Sequence, residues 1–125
     1  MGKQVTSTDG STPLEPYSPA IVSGGLVFCS GTFGIDPLTG EASESIVTQT
    51  EQALRNLANV LSESGSSMQH LVKTTIYYVR AEDFAVINEV YARHVSGSPP
   101  ARSAVPCLVL PDGLLFCIDA VATLN

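Results

Sequence analysis

One arginine in this chain enters an apolar strand, at Pro99-Pro100-Ala101-Arg102-Ser103. A guanidinium there is costly unless it meets an anion or carbonyl oxygens. Its planar fork suits a carboxylate held by two parallel hydrogen bonds. The residues alone leave two readings of Arg102 open: a site for a small carboxylate, or an ion pair to an Asp or Glu of a neighbouring copy. The other reactive side chains are Cys29, Cys107 and Cys117. Their number is odd and no pair stands as CxxC, so neither disulfide staples nor zinc is expected. Cys29 (LVFCSG) and Cys107 (VPCLVL) read as small buried hydrophobes. His70 and His94 lie far apart and read as surface or helix-dipole residues. No cluster of His, Cys or carboxylates suggests a metal site. GxSxG, the P-loop, GxGxxG and HExxH are all absent, and no cofactor is expected.

Several elements must position Arg102. Residues 1–16 are rich in Ser, Thr, Gly and Pro and read as a flexible arm, ordered only near Pro16-Tyr17. Residues 17–125 read as a single domain. Two short apolar runs, 20–22 and 26–29, flank Ser23-Gly24-Gly25 and form a hairpin signal. Asp36-Pro37-Leu38-Thr39-Gly40 reads as a turn. Ile46, Ala53, Leu54, Leu57, Ala58 and Leu61 recur at helical steps, with Ser45 as cap and Gly65 as stop. Residues 71–79 (LVKTTIYYV) are β-branched and aromatic, hence a strand. A second helix follows over 82–95, burying Phe84, Ile87, Tyr91 and Val95. Residues 103–110 and 114–124 read as two further strands, joined at Pro111-Asp112-Gly113.

The order β-β-α-β-α-β-β implies an α+β layer with both helices on one sheet face. The last strand places Leu114, Phe116, Ile118, Ala120, Ala122 and Leu124 on the helix side. Its other side, with Leu115, Cys117, Asp119, Val121 and Thr123, is too apolar for a fully wet face and asks for a partner.

Composition points the same way. Charged residues are 14% of the 125, against about 25% in ordinary soluble domains, and mean hydropathy is +0.22. A small chain with a generous core or an oligomer that hides apolar surface at its interfaces would account for both, and the oligomer is the expectation. Six Lys and Arg against twelve Asp and Glu give a net charge of −6, and no basic stripe favours a nucleic-acid partner. No 18-residue apolar run or secretory leader is seen, so neither a membrane partner nor export is expected, and the compartment reads as cytoplasmic. Gly2 with Thr6 formally meets a myristoylation pattern, which is taken as chance.

Ordered matches along nearly the whole chain resemble the reactive intermediate deaminase (RidA/YjgF) family. They run from Pro16-Tyr17-Ser18 through Phe28-Cys29-Ser30-Gly31, Asp36-Pro37-Leu38-Thr39-Gly40-Glu41, Ala53-Leu54-Arg55-Asn56-Leu57 and Val72-Lys73-Thr74-Thr75. Asp83-Phe84-Ala85, Ile87-Asn88-Glu89-Val90-Tyr91, Pro100-Ala101-Arg102-Ser103 and Leu110-Pro111 complete the series. The resemblance implies a chorismate-mutase-like fold and a homotrimer with pockets between subunits. It also implies hydrolysis of small amino-acid-derived enamines and imines to 2-keto acids and ammonia. By the same resemblance Arg102 binds the substrate carboxylate, and Tyr17, Ser30, Gly31 and Asn88 line the pocket. Phe84 and Tyr91 match positions read as helix core.

The chain departs from the family twice. Cys117 stands where active members carry a glutamate, and Thr32 where a Gln often follows Ser-Gly. A thiol is a poor water-activating base, but a good nucleophile if Arg102 stabilises its thiolate. Asp119 is two strand residues away, roughly 6.6 Å, and is expected to be structural. A weakened imine deaminase, another reaction on a small carboxylate or carbonyl compound in a biosynthetic pathway, and a non-enzymatic binding trimer are therefore carried forward together.

Overall fold

Gly24 and Gly25 have φ of 60° and 79°, the two left-handed residues that a two-residue hairpin loop requires. They join β2 (Ala20–Ser23) to β3 (Leu26–Phe33), with Ser23 opposite Leu26. The computed structural model describes residues 2–5 and 16–125. Within the expected N-terminal arm, Lys3–Val5 forms a short strand, β1, antiparallel to β2. Nothing in the sequence of those residues signals a strand, and a pairing partner further along the chain supplies it. The remainder of the arm, residues 1 and 6–15, lies outside the described residues.

Helix α1 (Ile46–Glu63) begins at Ser45, whose hydroxyl accepts from the Thr48 amide. It ends in a Schellman turn: Ser66 N–H reaches Leu61 O, Gly65 N–H reaches Ser62 O, and Gly65 takes φ 85°. Then come β4 (Leu71–Tyr78), α2 (Phe84–His94), β5 (Ala101–Pro106) and β6 (Phe116–Thr123). The α+β order β-β-α-β-α-β-β thus holds, with β1 added in front. No helix is long and apolar enough to cross a membrane among the described residues.

The six strands lie in the order β1-β2-β3-β6-β4-β5. One detail corrects the sequence reading. Residues 103–110 and 114–124 do not pair as neighbours. The α2 crossover lays β5 parallel to β4 at the sheet edge, and β6 returns between β3 and β4, antiparallel to both. The burial pattern explains the exchange. Phe116, Ile118, Ala120 and Ala122 are buried under the helices, whereas most of β5 is exposed. The more apolar strand occupies the middle. β5 also stops at Pro106, and Leu108 beyond it is 99% exposed.

The core lies between α1, α2 and one sheet face, around Leu54, Leu57, Leu61, Ile76, Ile87, Phe116 and Ile118. The opposite face carries Phe28, Lys73, Thr75, Tyr77, Ser103, Val105, Cys117, Asp119 and Val121 by register. Phe28 is 44% exposed there. The helices are tied to each other by Glu51, which accepts from Arg93 at 2.9 Å and pairs with His94 at 2.7 Å. Those contacts hold the Glu51 carboxyl below its usual range.

Polar side chains of α1 fix the sheet ends that matter for the site. Gln49, 2% exposed, accepts from the Leu115 and Phe116 amides at 2.7 and 3.1 Å and donates to Ser43 O at 2.9 Å. Asn56 donates to Phe33 O and Ile35 O at 3.0 and 2.8 Å. Gly34 must lack a side chain, since a Cβ would collide with the Gln49 carbonyl oxygen. Gln49→Leu keeps the volume but strands two amides and a carbonyl. It is expected to destabilise the fold by about 2–4 kcal/mol in urea unfolding, and a loss below about 1 kcal/mol would show that water replaces the amide without strain.

Candidate functional site

The β3–β6 register slips between Cys29 and Thr32, leaving one extra residue on β3. Such a bulge re-aims side chains and ends regular pairing. Here it delivers Ser30 and Gly31 to a cleft of ≈ 570 Å³, lined also by Tyr17, Phe33, Ile35, Pro111, Asp112 and Leu114. Ser30 is braced by its neighbours: its hydroxyl donates to Ser18 O at 2.6 Å and its amide to Pro19 O at 2.9 Å. Thr32 turns its hydroxyl back to Ser30 O at 3.1 Å and does not line the cleft.

Cys117 sits behind Gly31. A Cβ built on Gly31 would stand 3.0 Å from the Cys117 Sγ, so only glycine leaves the thiol where it is. Cys117 is 6% exposed. Burial first, and the Asp119 charge second, push its thiol up to about 11. Asp119 itself accepts from the Tyr77 hydroxyl at 3.1 Å.

Arg102 lies elsewhere. It is opposite Thr74 on β5, on the face that α2 covers. Its Nη1 donates to Asn88 Oδ1 at 2.8 Å, and it makes no ion pair among the described residues. Cys117, on β6 two strands in from β5, is opposite Tyr77, three residues along β4 from Thr74. Three residues along a strand is the other face, so a single chain separates Arg102 from Cys117 by the thickness of the sheet. Within the chain burial and Asp119 raise the Cys117 pKa, backbone hydrogen bonds from Thr32 and Ile118 offset them only in part, and Arg102 is not among the groups acting on it.

Of the residues singled out in the sequence, Tyr17, Ser30, Gly31 and Cys117 gather on one side, and Arg102 with Asn88 on the other. His94 belongs to the Glu51 tie and His70 bonds Ser67, both away from these groups. Cys29 is buried on the helix side as expected, whereas Cys107 is only half-buried, its Sγ 3.7 Å from Val105 O. Sequence reasoning missed Phe33, Ile35, Pro111, Asp112 and Leu114, because loops from distant parts of the chain meet there. It placed Tyr91 and Phe84 in the core, where Tyr91 is indeed buried and Phe84 packs against it, but did not foresee that both rings also lie against Arg102, at 5.0 and 5.8 Å from its Cζ. Phe84, Asn88 and Tyr91 at i, i+4 and i+7 form one helical stripe, and that spacing was the available signal.

The thiol gives a measurable consequence. A thiol with a pKa near 11 is thiolate in only about one molecule in ten thousand at neutral pH. Alkylation of Cys117 by iodoacetamide is expected to be slow at pH 7 and to climb about tenfold per pH unit from 8 to 10. Fast labelling at pH 7 that levels off below pH 8 would reveal a stabilised thiolate.

Comparison with known proteins agrees with this architecture. The family model described as endoribonuclease L-PSP matches residues 8–124. The chloroplastic Reactive Intermediate Deaminase A of Arabidopsis thaliana is 42% identical over 124 residues, spanning 98% of this chain and 66% of that longer one. The 2-iminobutanoate/2-iminopropanoate deaminase of Mus musculus is 34% identical, over 96% of this chain and 90% of its own. The crystal structure of RidA from an Antarctic Psychrobacter superposes with a TM-score of 0.91 at 33% identity, covering 98% of this chain and 100% of that one. Fold, motif order and these likenesses together make the chain a member of the RidA/YjgF family.

Proposed function

We propose that this protein binds small imines derived from amino acids and hydrolyses them weakly to 2-keto acids and ammonia. The observation that carries the reading is Arg102: a guanidinium aimed by Asn88, with no carboxylate of its own among the described residues. Such a fork is ready for a ligand carboxylate. The deaminase names of the Arabidopsis and mouse relatives support the imine as substrate class. The net charge of −6 argues against the ribonuclease activity that the family model's description suggests.

We further propose a homotrimer in which the cleft of one copy faces Arg102 of the next. The sheet face bearing Phe28, Tyr77 and Val121, and the exposed Leu108 and Val109, supply apolar surface for such contacts. In that pocket Arg102 anchors the carboxylate, while Ser30, Gly31 and Tyr17 bound the reacting carbon. Water adds to the protonated imine carbon, the C–N bond of the resulting carbinolamine breaks, and ammonium and the 2-keto acid leave. The step in need of help is proton removal from the attacking water. A Cys117 thiol pushed up to about 11 keeps its proton at neutral pH and cannot take another. This favours slow turnover. It also favours a second reading, a pocket that binds carboxylates without hydrolysing imines. Asp112 is the one acidic residue lining the cleft and is the candidate to stand in for the missing carboxylate.

The decisive assay follows 2-iminopropanoate, generated in place, with wild type, Cys117→Glu and Asp112→Asn. Cys117→Glu is expected to raise the rate about 10²-fold or more. A fast wild type that Cys117→Glu does not improve would refute weakened catalysis, and loss of that rate in Asp112→Asn would name the base. An inactive wild type and an inactive Cys117→Glu, both binding pyruvate, would establish the binding reading.

Light scattering is expected to give about 39 kDa, three times the 13.1 kDa chain. Arg102→Ala should keep that mass and lose about 2–4 kcal/mol of pyruvate binding by calorimetry. A monomer at micromolar concentration would rule out a pocket shared between copies, and unchanged affinity in the folded variant would rule out Arg102 as the anchor.

A further inference from the structure

Arg102 is exposed on an edge strand, and a long side chain in that position carries much rotamer freedom. The structure surrounds it with groups that remove this freedom. Phe84, Asn88 and Tyr91 project from one stripe of α2, and all three meet the same guanidinium. Tyr91 makes the closer aromatic contact, 5.0 Å from Cζ to the ring centre. Its own ring is 5% exposed, and its hydroxyl shares a hydrogen with Thr74 Oγ1 at 2.6 Å. Thr74 is fully buried and is the register partner of Arg102. Phe84 is in turn braced by the Tyr78 ring, 5.1 Å away between centres.

We propose that Tyr91, pinned through its hydroxyl by Thr74, is a positioning residue that sets the plane of the Arg102 guanidinium for carboxylate binding. The ring face attracts the cation and occupies one side of it. Asn88 takes one N–H of Nη1. The remaining N–H groups stay free, in a fixed plane, to meet a carboxylate bidentately. The contacts close a loop from β4 through Tyr91 to Arg102 and back across the β4–β5 register, so the cation is referenced to the sheet and not only to α2. This assignment rests on the reading of Arg102 as a carboxylate binder. A tyrosine that served only the core would affect stability and leave the guanidinium's behaviour alone.

The test uses the full chain in its native assembly, with pyruvate as the anionic probe and pyruvamide as its neutral counterpart. Tyr91→Leu is expected to weaken pyruvate binding about fivefold or more, since a cation–π contact is worth on the order of 1 kcal/mol, and to leave pyruvamide affinity unchanged. Tyr91→Phe keeps the ring and should lose about two- to threefold, as should Thr74→Val. The double variant should be no weaker than either single one, because both remove the same hydrogen bond. These mild variants keep the test alive if Tyr91→Leu fails to fold. Independently of any ligand, the Arg102 Nε–Hε signal in NMR is expected to be displaced by the rings in wild type and to return to the free-arginine position in Tyr91→Leu. An Arg102 signal unmoved by Tyr91→Leu would overturn the proposal, and should the leucine variant not fold, so would unchanged pyruvate affinity in both Tyr91→Phe and Thr74→Val. So would unchanged pyruvate affinity in a folded Tyr91→Leu while Arg102→Ala loses it. If Arg102→Ala itself binds pyruvate normally, the carboxylate reading fails, and the NMR signal alone decides whether Tyr91 positions Arg102.

Discussion

The buried amide of Gln49 is the contact on which the candidate site depends. One α1 side chain accepts from two successive amides at the start of β6 and donates to the loop before the helix. An acceptor lost there leaves polar groups unsatisfied in the interior, which costs more than the bonds themselves contribute. Through that bond the helix dictates where the central strand begins. The start of β6 in turn places Leu114 in the cleft wall and Cys117 behind Gly31. Asn56, two turns further along the same helix, holds the end of β3 on the other side of the cleft. The cleft is thus shaped by a helix whose side chains do not reach the Ser30–Gly31 bulge at its centre.

The sheet acts as a partition. Alternation along β4 sends Thr74 toward α2 and Tyr77 toward the opposite face. Arg102 follows the first and Cys117 the second. A charged anchor and a cleft on opposite faces of one layer cannot serve a single small ligand within one chain. That geometry, together with the apolar residues left on the open face, is what supports the proposed assembly.

A buried thiol at position 117 sets the proton inventory beside the cleft. Behind the cleft wall, burial of Cys117 and the charge of Asp119 favour the neutral thiol, and backbone hydrogen bonds from Thr32 and Ile118 do not outweigh them. Asp119 accepts a hydrogen bond from the Tyr77 hydroxyl.

The sequence by itself determined the strand and helix order, the two caps of α1, the Gly24-Gly25 hairpin and the buried side of the last strand. These are local: periodicity, φ > 0 at glycine and capping hydroxyls act over a few residues. Family motifs also singled out Arg102, Asn88, Tyr17, Ser30 and Gly31. Only the tertiary structure decided that β6 enters between β3 and β4, because strand neighbours are chosen by burial across the whole sheet. It alone showed that the bulge at Ser30 opens a cleft with Pro111 and Asp112, parts of the chain far apart in sequence. It alone showed that Tyr91, a core residue, is also a neighbour of Arg102. The i, i+4, i+7 stripe says which residues share a helix face. What that face touches depends on long-range packing, to which local periodicity is blind.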